Sequence, residues 1–302
     1  MKNFLFFLIC SILFSCNSQT QTLDFTESLI QEDTIEMSEE VFDLFENSPN
    51  DRTEIIKNLE KKISGDQPLI VHCLVPLCDN KHQGIVPTSE SLGDGFSLRT
   101  NLYWSTSYGM KNYFVKSSSW KSLPVDFAVS DTILERVAFE RKFENGATVI
   151  LICDAYRGDM MKPCLEDYFS SLAGHKTDSI LYKNEKLAIN QGADLMAFNG
   201  HNGLMDVDID TVYADRSRMK DAVVIACSSK GYFNPYFVQT NSYPLLNTSS
   251  LLWPGAMILN AVIREWAMLH AGEDVQNAAG DSYHEVKKCG QSAARRMFVS
   301  GW

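Results

Sequence analysis

The chain has 302 residues, of which 45% are hydrophobic, and it carries a formal net charge of −11. Positions 17–50 hold nine acidic residues and no Lys or Arg, so residues 51–302 carry a net charge of only −3. This nearly neutral body offers no basic surface to a phosphate backbone, which argues against nucleic-acid binding.

Residues 1–15 are predicted to be a lipoprotein signal peptide. Lys2 precedes an apolar run over Phe4–Leu13, which is too short for the roughly 20 residues that span a bilayer as a helix. Leu13-Phe14-Ser15-Cys16 resembles a lipobox, whose cysteine becomes the N-terminus and receives acyl chains such as palmitate. Because Asn17 replaces the Asp that retains lipoproteins in an inner membrane, an outer-membrane anchor is expected, on its periplasmic or surface face. The alternative is an ordinary signal peptide with a chance cysteine.

The acidic segment over residues 16–50 is predicted to be a solvated linker, and residues 51–302 are predicted to form one domain. Apolar periodicity in that domain predicts alternating helices and buried strands. The predicted helices cover Asp51–Ile63, Leu102–Phe114, Lys162–Ala173, Gly255–Leu269 and Asp281–Phe298, and the predicted strands cover Leu69–Leu77, Val137–Phe143, Ala147–Cys153, Leu195–Asn199 and Val223–Cys227. Such alternation is typical of an α/β three-layer sandwich with a mainly parallel sheet.

Two candidate catalytic side chains follow neighbouring strands of this pattern. His201 comes just after the strand that ends at Asn199, and Cys227 ends the next strand. The segment between them is long enough for a parallel crossover with one short helix, placed at about residues 213–220. Paired strands lie about 4.8 Å apart, which would bring the thiol beside the imidazole, as a cysteine nucleophile with a histidine base requires.

The order strand, Gly-His, crossover, strand, Cys over residues 195–233 resembles the caspase-like cysteine peptidases, and most closely their gingipain type. The clan also includes caspases, legumains and separases. The resemblance implies a caspase-like α/β sandwich, a peptide or protein substrate, His201 as base and Cys227 as nucleophile. Asn202 and Gly203 are the expected oxyanion or substrate residues, although members of the clan have Gly directly after the His. Neither a cofactor nor a metal is expected, because no Cys/His cluster has zinc spacing.

Other polar residues carry weaker predictions. Asp79 follows the first strand and Asp154 follows a later one, so both are candidate substrate contacts, with loop packing or helix capping and an ion pair as the alternatives. The alternation of Asp206, Asp208 and Asp210 indicates an exposed strand face. Six cysteines follow Cys16; export permits disulfides between them, whereas their apolar contexts favour buried thiols.

Two alternatives to a hydrolase remain open. The first is a binding module that keeps a caspase-like scaffold without catalysis. This alternative is favoured by Asn202, which directly follows the histidine. The second is a structural envelope lipoprotein, which predicts no well-formed pocket at the strand ends.

Overall fold

The computed structural model describes residues 51–214, 219–270 and 272–302. The predicted signal peptide, the lipid-bearing Cys16 and the acidic linker over residues 16–50 lie outside the described residues. Within the described ranges, no helix has the length and apolar character needed to cross a membrane.

A mixed eight-stranded sheet forms the centre of the fold. Its strands are β1 (Leu69–Pro76), β2 (Lys121–Leu123), β3 (Ile133–Lys142), β4 (Thr148–Tyr156), β7 (Leu195–Asn199), β8 (Lys220–Ile225), β9 (Ser242–Thr248) and β10 (Phe298–Val299), while β5 (Thr177–Tyr182) and β6 (Glu185–Asn190) form a separate hairpin. The strand order is β10-β9-β8-β7-β1-β4-β3-β2. The strands from β9 to β4 in this order are parallel, whereas β10 pairs antiparallel with β9, and β3 pairs antiparallel with both β4 and the edge strand β2. The predicted mainly parallel sheet is therefore confirmed.

Helices cover both faces of the sheet. They are α1 (Thr53–Ser64), α2 (Met110–Lys116), α3 (Met161–Ala173), α4 (Ser229–Gln239), α5 (Ala256–Ala267), α6 (Glu273–Lys287) and α7 (Gln291–Arg296). Helices α3 and α4 pack on one face, where Phe169 contacts Phe233 and Phe237. Helices α1, α2, α5 and α6 cover the other face, which we call the α5 face. This double coverage explains why every residue of β1, β7 and β8 is buried and why their sequences do not alternate.

Three predicted helices differ from the structure. The helix expected over Asp281–Phe298 is divided: α6 already begins at Glu273 and ends at Lys287, and α7 covers only Gln291–Arg296, because Lys288 and Gly290 between them have left-handed backbones at φ 54° and 91°. The helix expected over Leu102–Phe114 begins only at Met110, because a Cβ on Gly109 would overlap the Trp104 backbone and the chain turns there instead. The prediction of a crossover helix near residues 213–220 is also wrong at both ends of that segment, where the structure is described. Residues 211–214 are irregular, and β8 already begins at Lys220. The hairpin β5–β6, helix α4 and strand β9 were not predicted.

Asp154 is buried within β4, and its carboxylate joins three strands. Arg136 on β3 donates to both carboxylate oxygens, at 2.6 and 2.7 Å, and His72 Nε2 on β1 lies 3.0 Å from Oδ2. Burial raises the pKa of the Asp154 carboxyl, but the charges and hydrogen bonds of His72 and Arg136 outweigh it and hold this pKa below its usual value. Arg136 also reaches Asp178 on β5 at 2.8 Å, which fastens the hairpin to the sheet.

Replacing Asp154 with Asn should lower the free energy of unfolding by about 3–5 kcal/mol, because Arg136 would lose its fully buried partner and keep only the more exposed Asp178. Urea denaturation at pH 7 measures this loss. The matched control is Asp178→Asn, since Asp178 contacts the same guanidinium from a side chain that is 41% exposed, and it should cost about 0–1 kcal/mol. Equal losses in the two variants would contradict the assignment.

The same carboxyl makes a pH prediction. Its folded pKa is lowered, so its stabilisation is complete above the unfolded value of about 3.9 and is lost as the pH falls through the folded pKa. The difference in stability between the wild type and Asp154→Asn should therefore shrink below about pH 4. A difference that stays constant between pH 7 and pH 3 would exclude this ion pair as its source.

Candidate functional site

His201 and Cys227 lie at the same edge of the sheet, because β7 and β8 are adjacent and parallel. Asn199 pairs with Ile225, and each candidate follows its strand by two residues. The Gly200 N–H donates to the Ile225 carbonyl oxygen at 3.2 Å, so the two chains stay together beyond the last paired residues. The juxtaposition expected from the order of the strands is therefore present at the level of the backbone.

Asp206 holds the imidazole of His201. His201 Nε2 lies 2.7 Å from Asp206 Oδ2, and the Gly84 N–H donates to the same oxygen at 2.9 Å. Because a carboxylate only accepts hydrogen bonds, Nε2 carries the proton and Nδ1 is left as the basic nitrogen. The interpretation of Asp206 as part of an exposed strand is wrong: it follows a 3₁₀ turn over Gly203–Met205 and orients a candidate base.

Cys227 is a free, partly exposed thiol. Its Sγ donates to the Leu252 carbonyl oxygen at 3.4 Å. The chain then turns through Ser228, which has a left-handed backbone at φ 45°, and α4 begins at Ser229. The positive end of the α4 dipole thus lies within two residues of the thiol, where negative charge is stabilised. The other described cysteines are also free, so none of the permitted disulfides is formed among them.

Tyr103 forms a hydrogen bond with the Cys78 thiol and lies within electrostatic reach of Cys227. Burial raises the pKa of the Cys78 thiol to about 11, which keeps it protonated. Burial, and then the nearby thiols of Cys78 and Cys227, raise the pKa of Tyr103 well above its usual value. Of the two thiols, Cys227 alone combines exposure with a place at the end of the strand next to the histidine.

The two predicted oxyanion residues behave differently. The side-chain amide of Asn202 donates to the Cys227 carbonyl oxygen at 2.8 Å, which ties the histidine loop to the cysteine turn. Gly203 instead faces α3, where a Cβ would clash with Met161. A glycine is thus required at this position by packing on the face opposite α5. The oxyanion role predicted for Gly203 would use its backbone N–H group and stays a prediction.

The two acidic residues predicted to contact substrate, Asp79 and Asp154, use their carboxylates in other contacts. Asp79 is buried, accepts the backbone N–H groups of Lys81 and His82, and contacts the His82 ring at 2.9 Å, so it shapes its own loop. Asp154 is saturated by Arg136 and His72. The substrate roles predicted for Asp79 and Asp154 therefore have no support in this geometry, and the alternatives of loop packing and an ion pair describe them.

A cavity of about 360 Å³ lies between α2, α5 and α6, and no residue of the cysteine turn lines it. It is lined by Tyr108, whose ring meets Trp253 edge-on with centroids 5.6 Å apart, and by residues of α5 and α6. Trp253 directly follows Leu252, the acceptor of the Cys227 thiol. Among the described residues, no group of three or more His, Cys, Asp or Glu side chains is arranged to hold a metal ion.

Comparisons with protein-family models, with curated proteins and with solved structures find no match to this chain.

Replacing Asp206 with Asn should slow alkylation of Cys227 by a neutral thiol reagent at least about tenfold, because the amide no longer fixes which ring nitrogen of His201 carries the proton. Stopped reactions analysed by peptide mass spectrometry give the rate for each cysteine. The matched control is Asp208→Asn, two residues further along the same loop. Equal rates at Cys227 in the wild type and Asp206→Asn would show that the carboxylate does not act on the thiol.

Proposed function

We propose that the protein is a cysteine-dependent hydrolase of caspase-like architecture that cleaves peptide bonds. The observation that carries the proposal is the pairing of β7 with β8, which sets the carboxylate-bound His201 and the partly exposed Cys227 at neighbouring strand ends. A nucleophile, a base and a group that orients the base are the three parts that activated cysteine chemistry requires.

The proposed reaction uses these three side chains in order. His201 Nδ1 takes the proton of the Cys227 thiol while Sγ attacks the carbonyl carbon of the scissile peptide bond. His201 then gives this proton to the leaving amine as the C–N bond breaks, which leaves a thioester on Cys227. Water, deprotonated by the same imidazole, attacks the thioester carbon; the C–S bond breaks, the imidazolium returns the proton to the Cys227 sulfur, and the acid is released. Asp206 stabilises the imidazolium that forms twice in this cycle.

The N-terminal end of α4 stabilises the negatively charged species that form in this reaction. It begins at Ser229, immediately after the cysteine turn, so its dipole favours the thiolate and the oxyanion. Export and a lipid anchor on Cys16, probed separately below, would put this activity at the outer membrane.

A binding module without catalysis is the second candidate function. It is favoured by Asn202, which stands where members of the caspase-like clan have a glycine directly after the histidine, and whose side-chain amide donates to the Cys227 carbonyl oxygen. The thiol of Cys227 also donates to Leu252 already. The two functions differ in one measurable property, the reactivity of Cys227 toward a peptide electrophile.

A peptidyl acyloxymethyl ketone, which alkylates an attacking thiolate, should label the wild-type protein on Cys227 alone. Cys227→Ala should abolish labelling, and His201→Ala should slow it at least about 100-fold, the usual contribution of a general base. Cys289→Ala is the matched control, because Cys289 is an exposed free thiol outside the site. Labelling of His201→Ala at the wild-type rate would favour the binding module.

Cells fed an alkyne analogue of palmitate should incorporate it into the full-length protein and lose that incorporation in Cys16→Ser, because a thioether-linked lipid needs the cysteine sulfur. Fluorescence after azide coupling, read on a gel, measures it. Cys10→Ser controls for any effect of a cysteine within the leader. Undiminished incorporation in Cys16→Ser would contradict the anchor without affecting the proposed chemistry.

A further inference from the structure

Two arginines lie in and beside the cavity between α2, α5 and α6. Arg264 lines the cavity from α5, and its guanidinium uses only Nε in the described structure, to contact Glu265 Oε1 at 2.8 Å. Arg141, near the end of β3, is partly buried, and its guanidinium has neither an ion pair nor a hydrogen bond among the described residues. It lies instead over the rings of Phe143 and Trp120, with Cζ 4.6 and 6.0 Å from their centroids.

The two guanidiniums repel each other. Burial, and then the positive charge of Arg264, lower the pKa of Arg141. The phenol of Tyr113, which lines the cavity from α2, also acts electrostatically on Arg141. Arg141 is thus within electrostatic reach of two residues of the cavity wall. Like charges without a countercharge are unfavourable, and an anion bound between them would replace this repulsion with attraction.

A chain of hydrogen bonds leaves the Tyr113 hydroxyl as a donor for a ligand. An indole N–H can only donate, so the 2.8 Å bond from Trp120 Nε1 identifies Oδ1 as the Asn260 atom that faces the tryptophan. Asn260 Nδ2 then donates to the Tyr113 oxygen at 3.3 Å. Burial raises the pKa of Tyr113, so the hydroxyl keeps its proton. Within the described ranges no side chain or carbonyl group accepts that proton, and Tyr113 presents it at the cavity wall.

The cavity wall also holds two carboxylates, one of which is already neutralised. Two hydrogen bonds of 2.6 Å from Arg295 hold Asp281 and keep the pKa of its carboxyl below the usual value. Glu285 is exposed and has no ion pair in the part of the chain that the structure describes. A cationic ligand would find Glu285 as a countercharge but would face both arginines. An oxyanion would find two guanidiniums, whose planar N–H groups match carboxylate and phosphate oxygens, and a phenolic O–H.

Much of the remaining wall is apolar. Aliphatic surface comes from α5 and α6, and an aromatic ring comes from the turn before α2: Met257, Ala261, Ala278, Val286 and Tyr108. The volume of about 360 Å³ lies within the range of about 300–1,000 Å³ that is usual for small-molecule pockets. The ligand that fits both parts of the wall therefore combines an oxyanion with an apolar body.

We propose that this cavity binds a small organic oxyanion, a carboxylate or a phosphate monoester with an apolar body, whose charged end lies between Arg141 and Arg264. No residue of the cysteine turn lines the cavity, so the inference is independent of the proposed hydrolase. Carboxylates and phosphates share the chemistry that two guanidiniums recognise, and the experiment distinguishes between them.

The first test uses the full wild-type chain and four probes of similar size: benzoate, phenyl phosphate, benzylamine and benzamide. Isothermal titration calorimetry measures their binding at low ionic strength in a buffer without phosphate, because salt screens exposed charges. Benzoate or phenyl phosphate should bind with a dissociation constant of about 1 mM or tighter. The cation benzylamine and the neutral benzamide should bind at least about tenfold more weakly. The tighter of the two anions identifies the preferred charged group.

Three single-charge variants locate the site. Arg141→Gln should weaken binding of the preferred anion at least about tenfold, as the loss of a charge-assisted hydrogen bond does. Glu285→Gln should instead tighten binding about two- to threefold, because it removes a repelling charge. The matched control is Arg296→Gln, since Arg296 is exposed, has no ion pair among the described residues and does not line the cavity. It should leave the dissociation constant unchanged, and circular dichroism verifies that each variant is folded.

Four results would overturn the inference. In the wild type they are the absence of saturable binding by either anion, or binding of benzylamine as tight as that of the anions. Equal weakening by Arg141→Gln and Arg296→Gln would reduce the effect to net surface charge. Weaker anion binding in Glu285→Gln would show that this carboxylate does not repel the bound group. The probe ranking on the wild-type chain decides the question even where a variant does not fold.

Discussion

The parallel pairing of β7 with β8 is the constraint on which the proposed site depends. Its register runs from Leu195 opposite Asp221 to Asn199 opposite Ile225, and every residue of both strands is buried. A slip by one residue would turn the side chains of one strand to the opposite face and separate the thiol from the α5 face. Since both faces are packed, such a slip would also bury the wrong side chains. The core therefore sets the position of Cys227 relative to the histidine loop.

The loop after β1 extends this constraint to a third strand end. Gln83 Nε2 donates to the carbonyl oxygens of Leu77 and Gly158, and Asp79 folds the same loop through its turn contacts. These contacts position the loop so that the Gly84 N–H group donates to the Asp206 carboxylate. Asp79 thus acts on the site from a distance, as part of the frame that holds Asp206 against the histidine. Residues that fix a catalytic group in place are as necessary to its geometry as the group itself.

The sequence predicted what depends on local pattern and missed what depends on distant contacts. The strand over Leu195–Asn199 has its predicted ends, because a short apolar run between polar turns is visible without knowing the fold. Asp206 was misassigned because its partner Gly84 is 122 residues away. The pattern around Asp154 allows either a substrate contact or an ion pair, and nothing in its own segment reveals that the partner is Arg136 on the neighbouring strand. The five-residue spacing from His201 to Asp206, across a glycine turn, was the one local signal available.

The placement of unsatisfied polar groups separates a site from a scaffold. A protein selected only to stay folded would gain stability from apolar side chains at positions 199 and 202, because each would remove an unpaired buried atom. This argument applies only in part to Asn202, because its side-chain N–H group already donates to the Cys227 carbonyl oxygen. Asn199 has no such bond within the described structure, yet it ends the strand that leads to His201. Departures from the rule that buried polar groups are paired are most common where function requires them. The unpaired amide of Asn199 lies two residues before the candidate base, His201.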